Sequence, residues 1–379
     1  MTTNFEFLGT EPIENVITSM HFQIDRVIYF GYQDVMKEKE ESTKRFLKRY
    51  CGVSEVAFYA LPDNDLQGVL KTMREVIEKE KEAGHDMCFD ITGGESLILV
   101  AFGMLAAEYH LPMHTYDVEA DELVELNSDS ECRQISQLVR RRDIAMDLDK
   151  YIEMQGGIIN HNMQKSYKDH DGAVFFEEVK SVFGVQMKYT DNWNRFSDYV
   201  KTRVAQGSGL EFPISQQKKT NTWPYKKIFQ ELEKAGLIAH RKVSNRLVQV
   251  RFKNKTVKSL ITDGGSSLEL YVYQMEREKA DDCRIGVHLD WDGVIGDETD
   301  VCNEIDVLTL QGNIPTFISC KSGKMGANHT RNALYELETV AKRFGGKYAK
   351  KVLVIMQPLG DGYQARADEM KIEIRNMKK

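Results

Sequence analysis

The stretch 303-NEIDVLTLQGNIPTFISCKSG-323 reads as two short apolar strands joined by a turn, and its chemistry decides what the C-terminal part of the chain is. In a strand, side chains two apart share a face, so Glu304 and Asp306 point the same way. The second strand ends in Ser319, Cys320 and Lys321. Hairpin pairing brings the Lys321 ammonium toward the two carboxylates. A hard divalent cation such as magnesium takes oxygen ligands and keeps several waters. Beside a lysine, such a cation activates water and offsets the charge that builds on a phosphate. Hydrolysis of a phosphodiester is the chemistry that this grouping suits.

The flanking sequence predicts a compact α/β domain with a mixed sheet. A Gly-Gly turn opens a helix in "TDGGSSLELYVYQMEREKADD", with Ser266 or Ser267 as its cap. Strand patterns follow at 283–291, 301–310 and 315–320, then the helix "NHTRNALYELETVAKRFGG" and a closing strand, "KKVLVIMQ". Upstream, "PYKKIFQELEKAGLIAHRKVSNRLVQVRFKN" gives a helix ended by Gly236 and two strands around "SN", the winged-helix pattern. A wing can touch nucleic acid or serve as a protein interface, and an interface or substrate-guiding role is the reading adopted. Residues 207–224 read as a loop or linker, and "YKDHDGAV" (167–174) as punctuation.

The first 126 residues alternate strands ("RVIYFGY", "EVAFYAL", "MCFDI", "MHTYDV") with charged amphipathic helices. Such alternation gives a mostly parallel sheet covered on both faces, with ligands at the carboxyl ends of its strands. There "CFDITGGESLILVAFGMLAAEYH" predicts a buried strand, a Thr-Gly-Gly turn and a helix from about Glu95. Glycines let backbone approach a ligand, and a helix N-terminus offers free N–H groups to phosphate. Glu95 would repel a phosphate that it faced, so its side chain must turn away or pair elsewhere. The turn is no GxGxxG fingerprint, which disfavours a nicotinamide-dependent enzyme.

Composition is that of an ordinary globular protein: 379 residues, 41% hydrophobic and 29% charged. No apolar run is long enough to span a membrane, and the N-terminus lacks the features of a signal peptide. Six scattered cysteines without a CxxC pair predict a reduced, cytoplasmic protein with no structural metal. The net charge of −7 conceals a split: residues 1–150 hold 29 acidic against 16 basic side chains, whereas Lys201 to Lys258 hold fourteen Lys/Arg against three Glu. The middle segment is therefore the part expected to meet a polyanion.

The hairpin resembles the active site of the PD-(D/E)xK nuclease superfamily. Asp306 matches its first acidic position and Lys321 its lysine, while Ser319 stands in the second acidic slot. Some members with serine there take the missing carboxylate from the following helix, which points to Glu336 of "ALYELET"; Glu338 lies on another face of that helix. Glu269 occupies the opening-helix position that contributes in many members. Taken with "DITGG" and the winged-helix segment, the order of parts resembles a CARF-domain CRISPR-associated nuclease, a type III ancillary effector. The resemblance implies a Rossmann-like CARF domain (1–150), a connecting segment with a winged-helix-like part (151–260) and a restriction-endonuclease-like PD-(D/E)xK domain (261–379). It also implies a homodimer that binds a cyclic oligoadenylate, with cyclic tetra-adenylate suiting a two-fold axis, and that then cleaves single-stranded DNA or RNA. Ligand contacts carry over to Thr10, Glu11 and Pro12 in the loop after the first strand and to Thr92, Gly93, Gly94, Glu95 and Ser96 in the turn. Asp306, with Glu336 from the following helix or Glu304 from its own strand face, is then expected to hold manganese or magnesium, with Glu269, Ser319 and Lys321 completing the catalytic set. Thr10 also suits a helix cap before Pro12. The alternative is a ligand-sensing winged-helix regulator with an inactive nuclease fold.

Overall fold

The computed structural model describes residues 1–126, 138–140, 144–163, 172–207, 209–215, 223–244, 246–291 and 302–378. Parts of the expected punctuation and linker (167–171, 208 and 216–222), Asn245 of the expected turn, and Val301 lie outside the described residues. The chain divides into two units: Met1–Ile158 with Gly312–Ile314 and Gly346–Tyr348, and the remainder.

Unit 1 is built on a six-stranded sheet in the order β3-β2-β1-β4-β5-β6. Its strands are β1 (Thr2–Phe7), β2 (Arg26–Gly31), β3 (Glu55–Ala60), β4 (Asp86–Asp90), β5 (Met113–Asp117) and β6 (Glu122–Glu125). The first five run parallel, and β6 returns antiparallel to β5. Helices α1 (Ile17–His21), α2 (Gln33–Phe46), α3 (Leu66–Glu82), α4 (Ser96–Tyr109) and α5 (Leu148–Met154) belong to the same unit. The pattern that predicted doubly wound alternation is thus realised. Phe5, Phe30 and Phe89 of adjacent strands pack with Val69, Met73 and Ile77 of α3 and with Phe102 of α4 in one core. Because β1 and β4 are parallel neighbours, the loops that follow them leave the same edge of the sheet, where such folds bind ligands. Thr10 caps no helix: residues 12–16 form turns, and α1 begins after Val16.

Unit 2 holds a small antiparallel sheet and a second six-stranded sheet. The small one orders β8 (Glu211–Ser215), β10 (Leu247–Phe252) and β9 (Ile238–Ser244). With α6 (Ala173–Lys188), α7 (Thr190–Val204), α8 (Lys226–Lys234) and α9 (Lys255–Thr262) it forms the winged-helix part. The expected linker therefore contains a strand, β8. It accommodates Pro213 because it lies at the sheet's edge.

The larger sheet runs β15-β14-β13-β12-β11-β7. Its strands are β7 (Ile158–Ile159), β11 (Asp282–Asp290), β12 (Cys302–Gln311), β13 (Ile314–Lys321), β14 (Lys350–Ile355) and β15 (Ile372–Asn376), with helices α10 (Ser266–Arg277), α11 (Ala327–Gly345) and α12 (Asp361–Glu369). β11 and β12 are antiparallel, whereas β13, β14 and β15 are parallel. β14 does not close the series, since α12 and β15 follow it. Neither serine caps α10: Gly265 is its N-cap, Ser266 donates to Asp263, and Ser267 Oγ donates to Gln186 Oε1 at 2.6 Å inside the core. One apolar core runs from Trp193, Phe196 and Phe229 of the winged-helix part to Val307, Ile318 and Val354 of the larger sheet.

Candidate functional site

The hairpin of β12 and β13 turns at Gly312, whose φ of +57° lies in the left-handed region that tight hairpin turns require. It sets Asp306 against the end of β13. Asp306 Oδ2 accepts from Cys320 N at 2.6 Å and from Ser319 Oγ at 3.1 Å, and Lys321 Nζ stands 3.8 Å away. The Asp306 side chain is 16% exposed and that of Lys321 35%, so both reach solvent from a mostly buried hairpin. Oδ1 of Asp306 accepts no hydrogen bond from the described residues. Ser319 thus occupies the expected acidic slot as a donor to the first carboxylate.

Electrostatics place Glu269 in the same neighbourhood. The Cys320 thiol is pushed up first by burial, then by the charges of Asp306 and Glu269, and is drawn down by Lys321 and Arg375. Glu304 is exposed and lies opposite His288 of β11. Glu336 lines a cleft of about 410 Å³ with Lys321, Ser322, Lys324, His329, Asn332 and Asn194, among others. Glu338 points elsewhere and accepts from Lys351, as its position on another helix face requires. Asp306 and Lys321 therefore meet beside Cys320, whose thiol also feels the charge of Glu269, and Lys321 and Glu336 share a cleft. His329, Asn332 and Glu336 recur at helical spacing in the sequence, a signal that could have marked the face. Asn194 comes from α7 and had no local signal.

Among the described residues, no three or more His, Cys, Asp or Glu side chains form a ready metal cage. The oxygen donors present are still of the kind a hard cation takes, with Asp306 presenting a bare Oδ1 and Glu336 a carboxylate in the open cleft. A cation that keeps several waters needs only one or two such carboxylates.

In unit 1 the Gly turn is built on Asp90. Its Oδ1 accepts from Thr92 N at 2.8 Å, and Thr92 Oγ1 accepts from Tyr116 N at 2.7 Å. Gly94 has a φ of +145°, and a β-carbon there would come within 2.7 Å of Leu99, so the position requires glycine. Gly93 abuts Glu14, whereas Glu95 and Ser96 are exposed at the start of α4. The Tyr32 phenol is pushed up by burial and then by the negative charge of Glu95, which lines the same cavity. Thr10 is exposed and Pro12 buried. Glu11 Oε2 accepts from Lys347 N at 2.8 Å, and Glu14 Oε1 accepts from the Tyr348 hydroxyl at 2.7 Å. Glu11 is thus engaged with the segment Gly346–Tyr348. A second cavity, of about 720 Å³, lies at the carboxyl ends of β2 and β3 between Tyr32, Asp34, Lys37, Asp63, Asn64 and Glu95. Of the expected ligand residues it contains Glu95; the others in it come from two strand ends that no local motif marked.

Beneath the turn, Asp90 Oδ2 stands 3.4 Å from Nε2 of His114, both fully buried. Burial disfavours the charged imidazole, but Asp90 outweighs it and pushes His114 up to about 10. The folded state therefore keeps a proton that the unfolded chain releases near pH 6.5. The pair's contribution is complete below that pH and is lost as pH climbs toward 10. Removing one partner leaves a buried charge alone, which costs about 3–5 kcal/mol. His114→Ala should thus lower the denaturant midpoint at pH 6 far more than at pH 10, and an equal loss at both would refute the charged pair.

The fold is a mostly parallel α/β unit and a second unit whose mixed sheet carries Asp306 and Lys321 at the ends of neighbouring strands. Residues 255–376 match the family described as Card1-like, endonuclease domain. No curated protein matches the chain. Among solved structures, protein VC1899 from Vibrio cholerae aligns with a TM-score of 0.73 at 16% identity, covering 99% of this chain and 94% of that one. Can2 from Sulfobacillus thermosulfidooxidans, solved in complex with cyclic tetra-adenylate, aligns at 0.67 and 17% identity with the same coverage. A type III CRISPR defence DNA nuclease activated by cyclic oligoadenylate aligns at 0.50 and 13% identity, covering 94% of this chain and 46% of that one. At these identities the structural likeness is one of fold. Residues 255–376 are thus similar to the Card1-like endonuclease domain, and the chain as a whole shares the fold of VC1899 and Can2. No helix among the described residues is long and apolar enough to cross a membrane.

Proposed function

We propose that the chain is a metal-dependent endonuclease of type III CRISPR defence, switched on by a cyclic oligoadenylate of tetra-adenylate size. The observation that carries the reading is Lys321 at 3.8 Å from Asp306, at the end of neighbouring strands inside the endonuclease-family domain. Residues 1–150 act as the sensor, 151–260 as the connecting part and 261–379 as the nuclease.

Asp306 and Glu336 would hold manganese or magnesium, with Glu304 at the exposed end of the same strand face and Glu269 assisting. When bound, such a cation supplies charge stabilisation to the phosphate and activation of the attacking water. Ser319 and the Cys320 N–H fix the Asp306 carboxylate, which preorganises it before substrate arrives. Lys321 presents its ammonium to the scissile phosphate or the attacking water. The substrate is a single-stranded DNA or RNA. The direct test is cleavage of both in manganese, with and without cyclic oligoadenylates; no cleavage under any combination overturns the reading.

The ring would sit on Thr10, Pro12, Thr92, Gly93, Gly94, Glu95 and Ser96, with Glu11 holding its loop. A homodimer supplies the two-fold axis for it. The exposed apolar side chains Val100 (54%) and Met104 (46%), one turn apart on α4 just after the glycine turn, support a partner copy there. Both the sensor and the nuclease would act in the cytoplasm. Binding to the folded state alone raises stability by about 2.7 kcal/mol at a hundredfold excess over Kd. Cyclic tetra-adenylate should therefore raise the melting temperature, and an unchanged melting temperature at large excess removes that ligand.

A further inference from the structure

We propose that the β9–β10 ribbon is a second nucleic-acid contact, which grips the sugar-phosphate backbone of the strand that the cleft cuts. The proposal rests on the nuclease reading and adds to it where the substrate is held.

In β9, residues 239 to 244 are all exposed although the strand is hydrogen-bonded to β10. A half-buried strand alternates, with one side chain in and the next out. β9 instead begins buried at Ile238 and then projects beyond the core with both faces in solvent. Lys242 pairs with Val248 and shares that residue's face, whereas Arg241 pairs with Gln249 on the other. Arg246 follows at the turn into β10.

The local carboxylates do not neutralise these cations. The basic stretch from Lys201 to Lys258 contains three acidic residues, Glu211, Glu231 and Glu233. Glu211 faces Arg251 and Gln249, Glu231 holds Lys188 and Lys234, and Glu233 binds His240 at 2.9 Å. Arg241, Lys242 and Arg246 form no ion pair among the described residues. Three unneutralised cations on a ribbon open from both sides complement a polyanion. The same unit holds the cleft with Lys321, Lys324 and Glu336, so the polyanion in question is the substrate strand. Lysines on an exposed edge can instead serve to block edge-to-edge pairing, and the experiment separates the two roles.

The variant R241Q/K242Q/R246Q is compared with the wild type on a fluorescent single strand of about 10 nucleotides, on the order of one binding site, and on a strand several times longer. The proposal expects KM for the long strand to rise about tenfold and the salt dependence of its binding to flatten by about 2 in log–log slope, from about 0.7 per lost phosphate contact. It expects cleavage of the short strand and the melting temperature to stay unchanged. Equal KM and equal salt slope overturn it, as does a variant that merely aggregates while its soluble fraction binds the long strand normally. Wild-type cleavage of the short strand checks the nuclease reading separately, so the failure of one is not mistaken for the failure of the other.

Discussion

Lys321→Ala should reduce the single-turnover cleavage rate by about 10²–10³, the usual loss when one preorganised charge facing the transition state is removed. The fold should survive. Lys321 is partly exposed, and Asp306 keeps two of its neighbours, the Ser319 hydroxyl and the Cys320 N–H, when the ammonium goes. Melting temperature and cyclic tetra-adenylate binding therefore stay near the wild-type values while catalysis collapses. Lys321→Arg should fare little better, because a planar guanidinium is no substitute for a compact ammonium at a point contact. Full activity in Lys321→Ala would return the chain to the alternative class, a ligand-reading regulator whose nuclease fold is inert. Sequence-specific binding of duplex DNA would then be its expected property.

The parts of the molecule that local pattern encodes were legible in the sequence. Strand-helix alternation in unit 1 and the hairpin in unit 2 depend on periodicities of a few residues, and both form where expected. So does the approach of Lys321 to Asp306, because a tight turn fixes which ends of two strands meet. What local pattern does not encode was read differently. β8 carries a proline that reads as loop, and only its partner β10, some thirty residues on, makes it an edge strand. Ser266 and Ser267 have the chemistry of helix caps, but Ser267 finds Gln186, 81 residues away in the chain, inside the core. Thr10 before Pro12 resembles a helix start, yet the chain makes turns there and Glu11 is engaged by Lys347 N. The second cavity in unit 1 and the contribution of Asn194 to the cleft likewise arise from elements brought together by the fold alone.

Serine in the acidic slot poses the sharpest question about the site, and the paired variants Glu336→Gln and Ser319→Ala answer it. If the carboxylate has moved from the strand to α11, Glu336→Gln removes a cation-binding charge from the cleft and should cost about 10²–10³ in rate, with a weakened dependence on manganese. Ser319→Ala removes one hydroxyl hydrogen bond to the Asp306 carboxylate while the Cys320 N–H at 2.6 Å remains. A hydrogen bond to a charged group contributes about 1.5 kcal/mol at the low end, so a loss of about tenfold is expected. The stronger test is restoration. Ser319→Glu in the Glu336→Gln background places a carboxylate back on β13 beside Asp306, and it should recover activity that neither single change has alone, a coupling that a double-mutant cycle measures. Equal, mild effects of the two single variants, with no recovery in the combination, would remove Glu336 from the site. Asp306 and Lys321 would then have to work with Glu269 or Glu304 as the second carboxylate.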